Sequence, residues 1–205
     1  MNIKENVNKI YTLLSDSEFK NPDTGGLFFP VYIYTYSPEK EFEIRKEIEK
    51  LNKDLQRPSS YINSLKINLY KEFIQWLDIE KGFDSESLLQ EVLHIEKEGD
   101  ATSISHFIID EANNDEGFIK YLGEKMKKYF EKQEHNRVYI LLHGIGEIFP
   151  YLRLSDFLKK IEKYVKNYKL IAFYPGEFID NKFSLFSVIN DENIYRANHL
   201  NLMIK

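Results

Sequence analysis

Apolar residues at Ile3, Val7, Ile10, Tyr11 and Leu14 recur at helical spacing and predict a leading helix. The turn formers Asn21-Pro22-Asp23-Thr24-Gly25-Gly26 predict a loop after it. From Leu27 to Tyr36 nearly every residue is β-branched or aromatic, the pattern of a strand covered on both faces, so a central strand is expected. Ser37-Pro38-Glu39 has the form of a helix start, with serine as cap and proline at the first position. Phe42, Ile44, Ile48, Leu51 and Leu55 supply the apolar stripe of that helix. Glu41 with Arg45, and Glu49 with Lys53, are spaced to pair on its wet side.

Further on, Tyr61, Ile62, Leu65, Ile67 and Leu69 predict a second strand, and Phe73, Ile74, Trp76 and Leu77 a short helix. Three more helical patterns follow: Leu88/Leu89/Val92/Leu93, Ile104/Phe107/Ile108 and Ile119/Leu122/Met126/Tyr129/Phe130. Gly99-Asp100 and the run Asn113 to Glu116 separate them. Val138 to Leu142 reads as a buried strand ending at His143-Gly144-Ile145-Gly146. Leu154, Phe157, Leu158, Ile161 and Val165 form one helix face, and Leu170 to Tyr174 form another strand, closed by Pro175-Gly176. Phe183 to Ile189 and Tyr195 to Ile204 read as short final strands. Strands alternating with helices predict a three-layer α/β fold: a mostly parallel central sheet flanked by helices, Rossmann-like or degenerate P-loop-like. The helices of residues 70–135 form an insertion between the second and third strands. No repeat or low-complexity linker divides residues 1–205, so a single domain is expected.

Composition narrows the classes. With 42% hydrophobic and 15% aromatic residues, a chain of 205 residues can bury a core without disulfides or metal, which argues against disorder. A net charge of -5 argues against a protein that coats nucleic acid or anionic lipid, although it leaves room for a local basic patch. The absence of cysteine excludes a thiolate nucleophile, a zinc–thiolate site and an iron–sulfur cluster. The first residues mix charges with apolar positions, unlike a signal peptide, and no apolar run approaches the ~20 residues of a membrane span. A cytoplasmic location without membrane association is the expectation.

In an open parallel sheet, ligands bind beyond the carboxyl ends of the strands. The residues expected there are Ser37-Pro38-Glu39, His143-Gly144-Ile145-Gly146-Glu147 and Tyr174-Pro175-Gly176-Glu177. No GxxxxGK[ST] motif occurs, and SPEKE after the first strand would repel phosphate. His143 to Phe149 offers the first two glycines of a dinucleotide fingerprint but places Phe149 where the third belongs. His143 and Glu147 could form an acid–base or metal pair, but no third ligand is evident and two glycines interrupt the spacing; a hydrolase or metal-dependent nuclease built on these two with Glu177 is the enzymatic alternative. No serine sits in a GxSxG elbow. Arg153 and Arg196 stand near element ends, where a guanidinium could clamp Glu147 or Glu177, either internally or toward a partner. The lysine runs at 125–128 and 159–160 read as solvated helix faces.

The carboxyl half contains, in order, HGIGEIFPYLRLSDFL (His143 to Leu158), FYPGEF (Phe173 to Phe178), SLF (Ser184 to Phe186) and YRA (Tyr195 to Ala197). These motifs, with FFPVYIYTYSPEKEFEIRKEI near the start, resemble the BrxB family, small proteins encoded in BREX bacteriophage-exclusion systems. In the family pattern two aromatics precede the Arg-Ala pair, whereas this chain has Ile194-Tyr195, which leaves the system subtype open. The resemblance implies participation in phage defence without catalytic activity, as an assembly or adaptor subunit. The implied partners are PglZ, the alkaline-phosphatase-like component, and other BREX subunits. No cofactor, metal or catalytic residue is expected. His143, Gly144, Gly146, Glu147, Arg153, Pro175, Gly176, Glu177, Tyr195 and Arg196 become candidates for fixing the strand-end loops or presenting them to a partner. A nucleotide- or nucleic-acid-responsive regulatory subunit of the same system is the alternative.

Overall fold

The computed structural model describes residues 2–20, 30–82, 85–131, 138–165, 168–180, 182–191 and 197–204. The predicted loop at 21–26 and the candidates Tyr195 and Arg196 lie outside them. Helices α1 (Ile3–Ser15) and α2 (Ser17–Lys20) precede strand β1 (Val31–Tyr36), whose side chains are all buried. A 3-10 turn at Pro38–Lys40 leads into α3 (Glu41–Leu55). Strand β2 (Asn63–Asn68) is followed by α4 (Leu69–Ile79), α5 (Leu88–Glu98), α6 (Ala101–Ala112) and α7 (Phe118–Glu131), which are the predicted insertion. Then come β3 (Val138–His143), the single turn α8 (Ile145–Ile148), α9 (Leu154–Ile161), β4 (Lys169–Ile179), β5 (Lys182–Leu185), β6 (Ile189–Asp191) and the two-residue β7 (Asn198–His199).

The sheet runs β2-β3-β4-β1-β7, with every neighbouring pair along this path parallel. The α/β expectation therefore holds, while the strand order differs from the 3-2-1-4-5-6 order of dinucleotide-binding sheets. Two-residue periodicity divides the strand side chains between two cores. Tyr32, Tyr34, Tyr36, Tyr139, Leu141, Ile171 and Phe173 face α1 and α3 with their stripes of Ile3, Val7, Ile10, Ile44, Ile48 and Leu51. Val31, Ile33, Ile140, Leu142, Leu170, Ala172 and Tyr174 face the other layer, built from α4, α7, α8 and α9 around Phe73, Trp76, Phe118 and Phe157. Burying both faces explains why β1 and β4 read as continuous apolar runs rather than alternating ones.

Helix starts follow local chemistry. The side chains of Asn2, Asn68, Ser87 and Asp100 accept hydrogen bonds from the backbone N–H groups of Glu5, Lys71, Gln90 and Ser103, capping α1, α4, α5 and α6. Gly99 ends α5 in the left-handed region at φ 79°.

Four expectations need correction. Ser37 makes no side-chain cap bond, because the 3-10 turn intervenes before α3. Phe42 is 78% exposed and not part of the buried stripe. The second strand starts at Asn63, after Tyr61 and Ile62, and Leu69 already belongs to α4. Pro175-Gly176 does not close the fourth strand. At that point β4 leaves its parallel neighbours and pairs antiparallel with β5, Gly176 opposite Leu185 and Ile179 opposite Lys182. At the C-terminal end, Phe183 to Ile189 is a hairpin of β5 and β6, and after Asn198–His199 the chain turns into a 3-10 helix, Leu200–Leu202.

Candidate functional site

At the carboxyl edge of the sheet, β2 and β3 end on Asn68 and His143, which are opposite each other in register. Asn68 Nδ2 lies 3.4 Å from His143 Nδ1 and donates to Glu147 Oε2 at 3.1 Å, while its Oδ1 caps α4 by accepting from Lys71 N at 2.9 Å. The other carboxylate oxygen of Glu147 pairs with the Arg45 guanidinium. Arg45 Nε donates to Glu41 Oε1 at 2.8 Å, and Glu41 Oε2 accepts from the Tyr36 hydroxyl at 2.5 Å. The sequence Tyr36–Glu41–Arg45–Glu147–Asn68 is thus one connected network. It joins α3, which packs on one face of the sheet, to α8, which packs on the other.

The electrostatics follow from burial and from three cations. His143 is buried, and desolvation pushes its pKa down to about 4, aided by Lys66, Arg45 and Lys71 and opposed by Glu49. Its Nε2 is buried without a hydrogen-bond partner among the described residues. Lys66 of β2 pairs with Glu49 of α3, and this pairing holds the Glu49 carboxyl below the usual carboxylate range. Burial and the adjacent Glu41 raise the Tyr36 hydroxyl well above the normal phenol range.

The glycines are explained by close approach. Gly144 sits at φ 77°, and a Cβ there would meet Asn68 Oδ1 at 2.5 Å. A Cβ on Gly146 would meet the Phe186 ring at 2.8 Å, and one on Gly176 would collide with the backbone oxygen of Ser184. Phe186, in the turn between β5 and β6, donates its N–H to Pro175 O at 2.8 Å and sets its ring edge-on to Phe149 at 6.1 Å. Phe186 therefore lies against the strand-end loop from above.

Glu147 is clamped by Arg45, not by Arg153, and the other expected clamp, Arg196, lies outside the described residues. Arg153 is exposed, stands 6.0 Å over the Phe149 ring, and forms no ion pair with Glu147 or Glu177 among the described residues. Its charge acts instead on Asp191, a buried carboxyl raised by desolvation and approached by the Tyr174 hydroxyl at 3.4 Å. Glu177 is exposed on the antiparallel part of β4, opposite Ser184, and no hydrogen bond or ion pair among the described residues joins it to His143 or Glu147. His143, Gly144, Gly146, Glu147 and Pro175 are brought together, whereas Arg153 and Glu177 point to the periphery.

Arg45, Glu41 and Asn68 carry the network although no site motif marks them in the sequence. Asn68 had a readable signal, a cap-type residue between a strand pattern and a helix pattern. A second such device is Asn201, whose amide accepts from Thr35 N and donates to Thr35 O, both at 2.8 Å, extending the edge of β1.

Chemically, the network stabilises charge that is already present. Both oxygens of Glu147 are engaged, one by the Arg45 guanidinium and the other by the Asn68 amide. Among the described residues no group of three or more His, Asp or Glu side chains could hold a metal ion, and no helix is long and apolar enough to cross a membrane.

Comparison with known proteins adds identity to this geometry. No solved structure matches the chain significantly. A protein of Bacillus cereus (strain H3081.97) described as BREX protein BrxB is 27% identical over 202 residues, covering 95% of each chain. The family model described as BREX protein BrxB matches residues 65–200, a span that includes Asn68, His143 and Glu147 together with the hairpin of β5 and β6. The chain belongs to the BrxB family.

Proposed function

We propose that this chain is a non-enzymatic assembly or adaptor subunit of a BREX bacteriophage-defence complex and that its partner is the PglZ component. It works in the cytoplasm alongside other BREX subunits. Membership of the BrxB family supports the defence role. The adaptor reading is carried by one observation: the carboxylates of the network at the carboxyl edge are held by their neighbours, Glu147 by Arg45 and Asn68, and Glu41 by Arg45 and Tyr36. Such a network holds two helical layers in fixed relation, which suits a rigid surface for another subunit. Co-purification tests the reading. A tagged chain expressed from its own operon should retain the PglZ-like protein through moderate salt. Elution of the tagged chain free of PglZ at micromolar concentration would overturn it.

A further inference from the structure

The four helices between β2 and β3 are unevenly buried. α4 and α7 deliver Phe73, Trp76, Phe118, Ile119 and Leu122 to the core, whereas α5 buries only Leu88 and α6 only Ala112. Val92, Leu93, Ile95, Ile104 and Ile109 on α5 and α6 belong to neither core. Between α4 and α5 runs a groove of about 430 Å³ lined by Tyr70, Lys71, Ile74, Gln75, Asp78 and Leu89. Tyr70, Ile74 and Asp78 follow one another at four-residue spacing along α4, and Leu93 lies one turn beyond Leu89 on α5, so the apolar lining continues past the groove.

Charge identifies the occupant. Residues 78–116 hold 12 of the chain's 33 acidic residues and only 2 of its 28 Lys and Arg, a local net charge of -10 in a chain whose total is -5. The remaining residues are therefore net positive. Asp78 lines the groove, and Glu80, Glu96, Glu98 and Asp110 of the same acidic stretch are exposed, while Lys71 is the one cation in the groove lining. A partly apolar groove set in so acidic a stretch repels nucleic acid and anionic lipid and attracts cationic side chains.

We propose that the α4–α5 groove docks an amphipathic helix of a partner protein whose apolar face is bordered by lysines and arginines. The inference does not depend on the partner being PglZ. The test uses the full chain and a fluorescent synthetic peptide of the repeat Leu-Lys-Lys-Leu-Leu-Lys-Leu, with a glutamate-for-lysine counterpart and duplex DNA as competitors for the assignment. Fluorescence anisotropy should show binding of the lysine peptide that weakens with added salt. The pair Tyr70→Ser and Leu93→Ser should weaken it about tenfold, as should Asp78→Lys with Glu96→Lys. All four positions are exposed, and unchanged far-UV circular dichroism and melting of the variants confirm that folding is intact. Absence of binding, equal binding of the glutamate peptide, unaltered affinity in both variant pairs, or DNA binding that these substitutions abolish would each overturn the proposal.

Discussion

Asn68 and His143 close adjacent strands as register partners, and the Asn68 amide reaches the histidine ring at 3.4 Å and the Glu147 carboxylate at 3.1 Å while its oxygen caps α4. One side chain thus couples the ends of two strands to the start of two helices.

Asn68→Ala should be destabilising beyond an ordinary cap loss. Removing the cap costs about 1 kcal/mol, and stripping a hydrogen-bond donor from a partly buried carboxylate adds about 1–2 kcal/mol. Urea unfolding should register a loss of about 2–3 kcal/mol, and Asn68→Asp, which keeps the cap but places a second carboxylate beside Glu147, should recover little of it.

Arg45→Met leaves Glu41 and Glu147 without their cation. Both carboxylates retain some exposure, about a fifth of each side chain, so the loss should fall below the 3–5 kcal/mol typical of a fully buried pair, at about 1–2 kcal/mol. A double-mutant cycle with Glu147→Gln checks the cause: neutralising the stranded carboxylate should return part of the stability.

The glycines should rank by what surrounds them. Gly99→Ala meets open space and bears only its left-handed backbone, about 1 kcal/mol. Gly144→Ala adds a collision with the Asn68 side chain. Gly176→Ala collides with the Ser184 backbone, which has nowhere to retreat within the β4–β5 ladder, and should be the most damaging. Melting temperatures of the three variants should descend in that order.

Acid should weaken the fold in a defined window. The His143 pKa is lowered to about 4 from 6.5, so between these values the unfolded chain binds a proton that the folded chain refuses. Stability should therefore fall as pH drops through 6.5 and level off near pH 4, by up to about 3 kcal/mol. His199, also lowered by burial, acts in the same direction, while the raised Asp191 carboxyl partly offsets both at the acid end. His143→Gln should flatten this limb in a series of melts across pH.

Arg153→Ala with Glu177→Ala separates folding from assembly. Both residues are exposed, and losing the Arg153 guanidinium from above Phe149 and from beside Asp191 should cost no more than about 1 kcal/mol. If the adaptor reading holds and this edge meets the partner, the variant should melt normally yet release PglZ in co-purification; retention would place the contact elsewhere.

The layers were legible in the sequence because burial on both faces leaves its mark in uninterrupted apolar strands such as Val31 to Tyr36 and in helical stripes such as Leu154, Phe157, Leu158 and Ile161. Long-range pairing left no such mark. Arg45 pairs locally with Glu41 at the predicted four-residue spacing, but its link to Glu147 spans a hundred residues and depends on how α3 and α8 meet over the sheet edge. Pro175-Gly176 misled for a related reason. Both residues usually end strands, yet here proline falls at the last position paired with β1, and glycine is needed because Ser184 passes so close.

The uninterrupted course of β4 has a mechanical consequence. Its 11 residues serve first the parallel sheet and then the hairpin, so the β5–β6 ribbon is cantilevered from the middle of the domain with no joint at its base. Phe186, in the β5–β6 turn at the root of that ribbon where Leu185 faces Gly176, thereby lies against Gly146 and Pro175 and roofs part of the crevice in which open parallel sheets usually admit small molecules. Whatever approaches this end of the molecule meets a shaped lintel first.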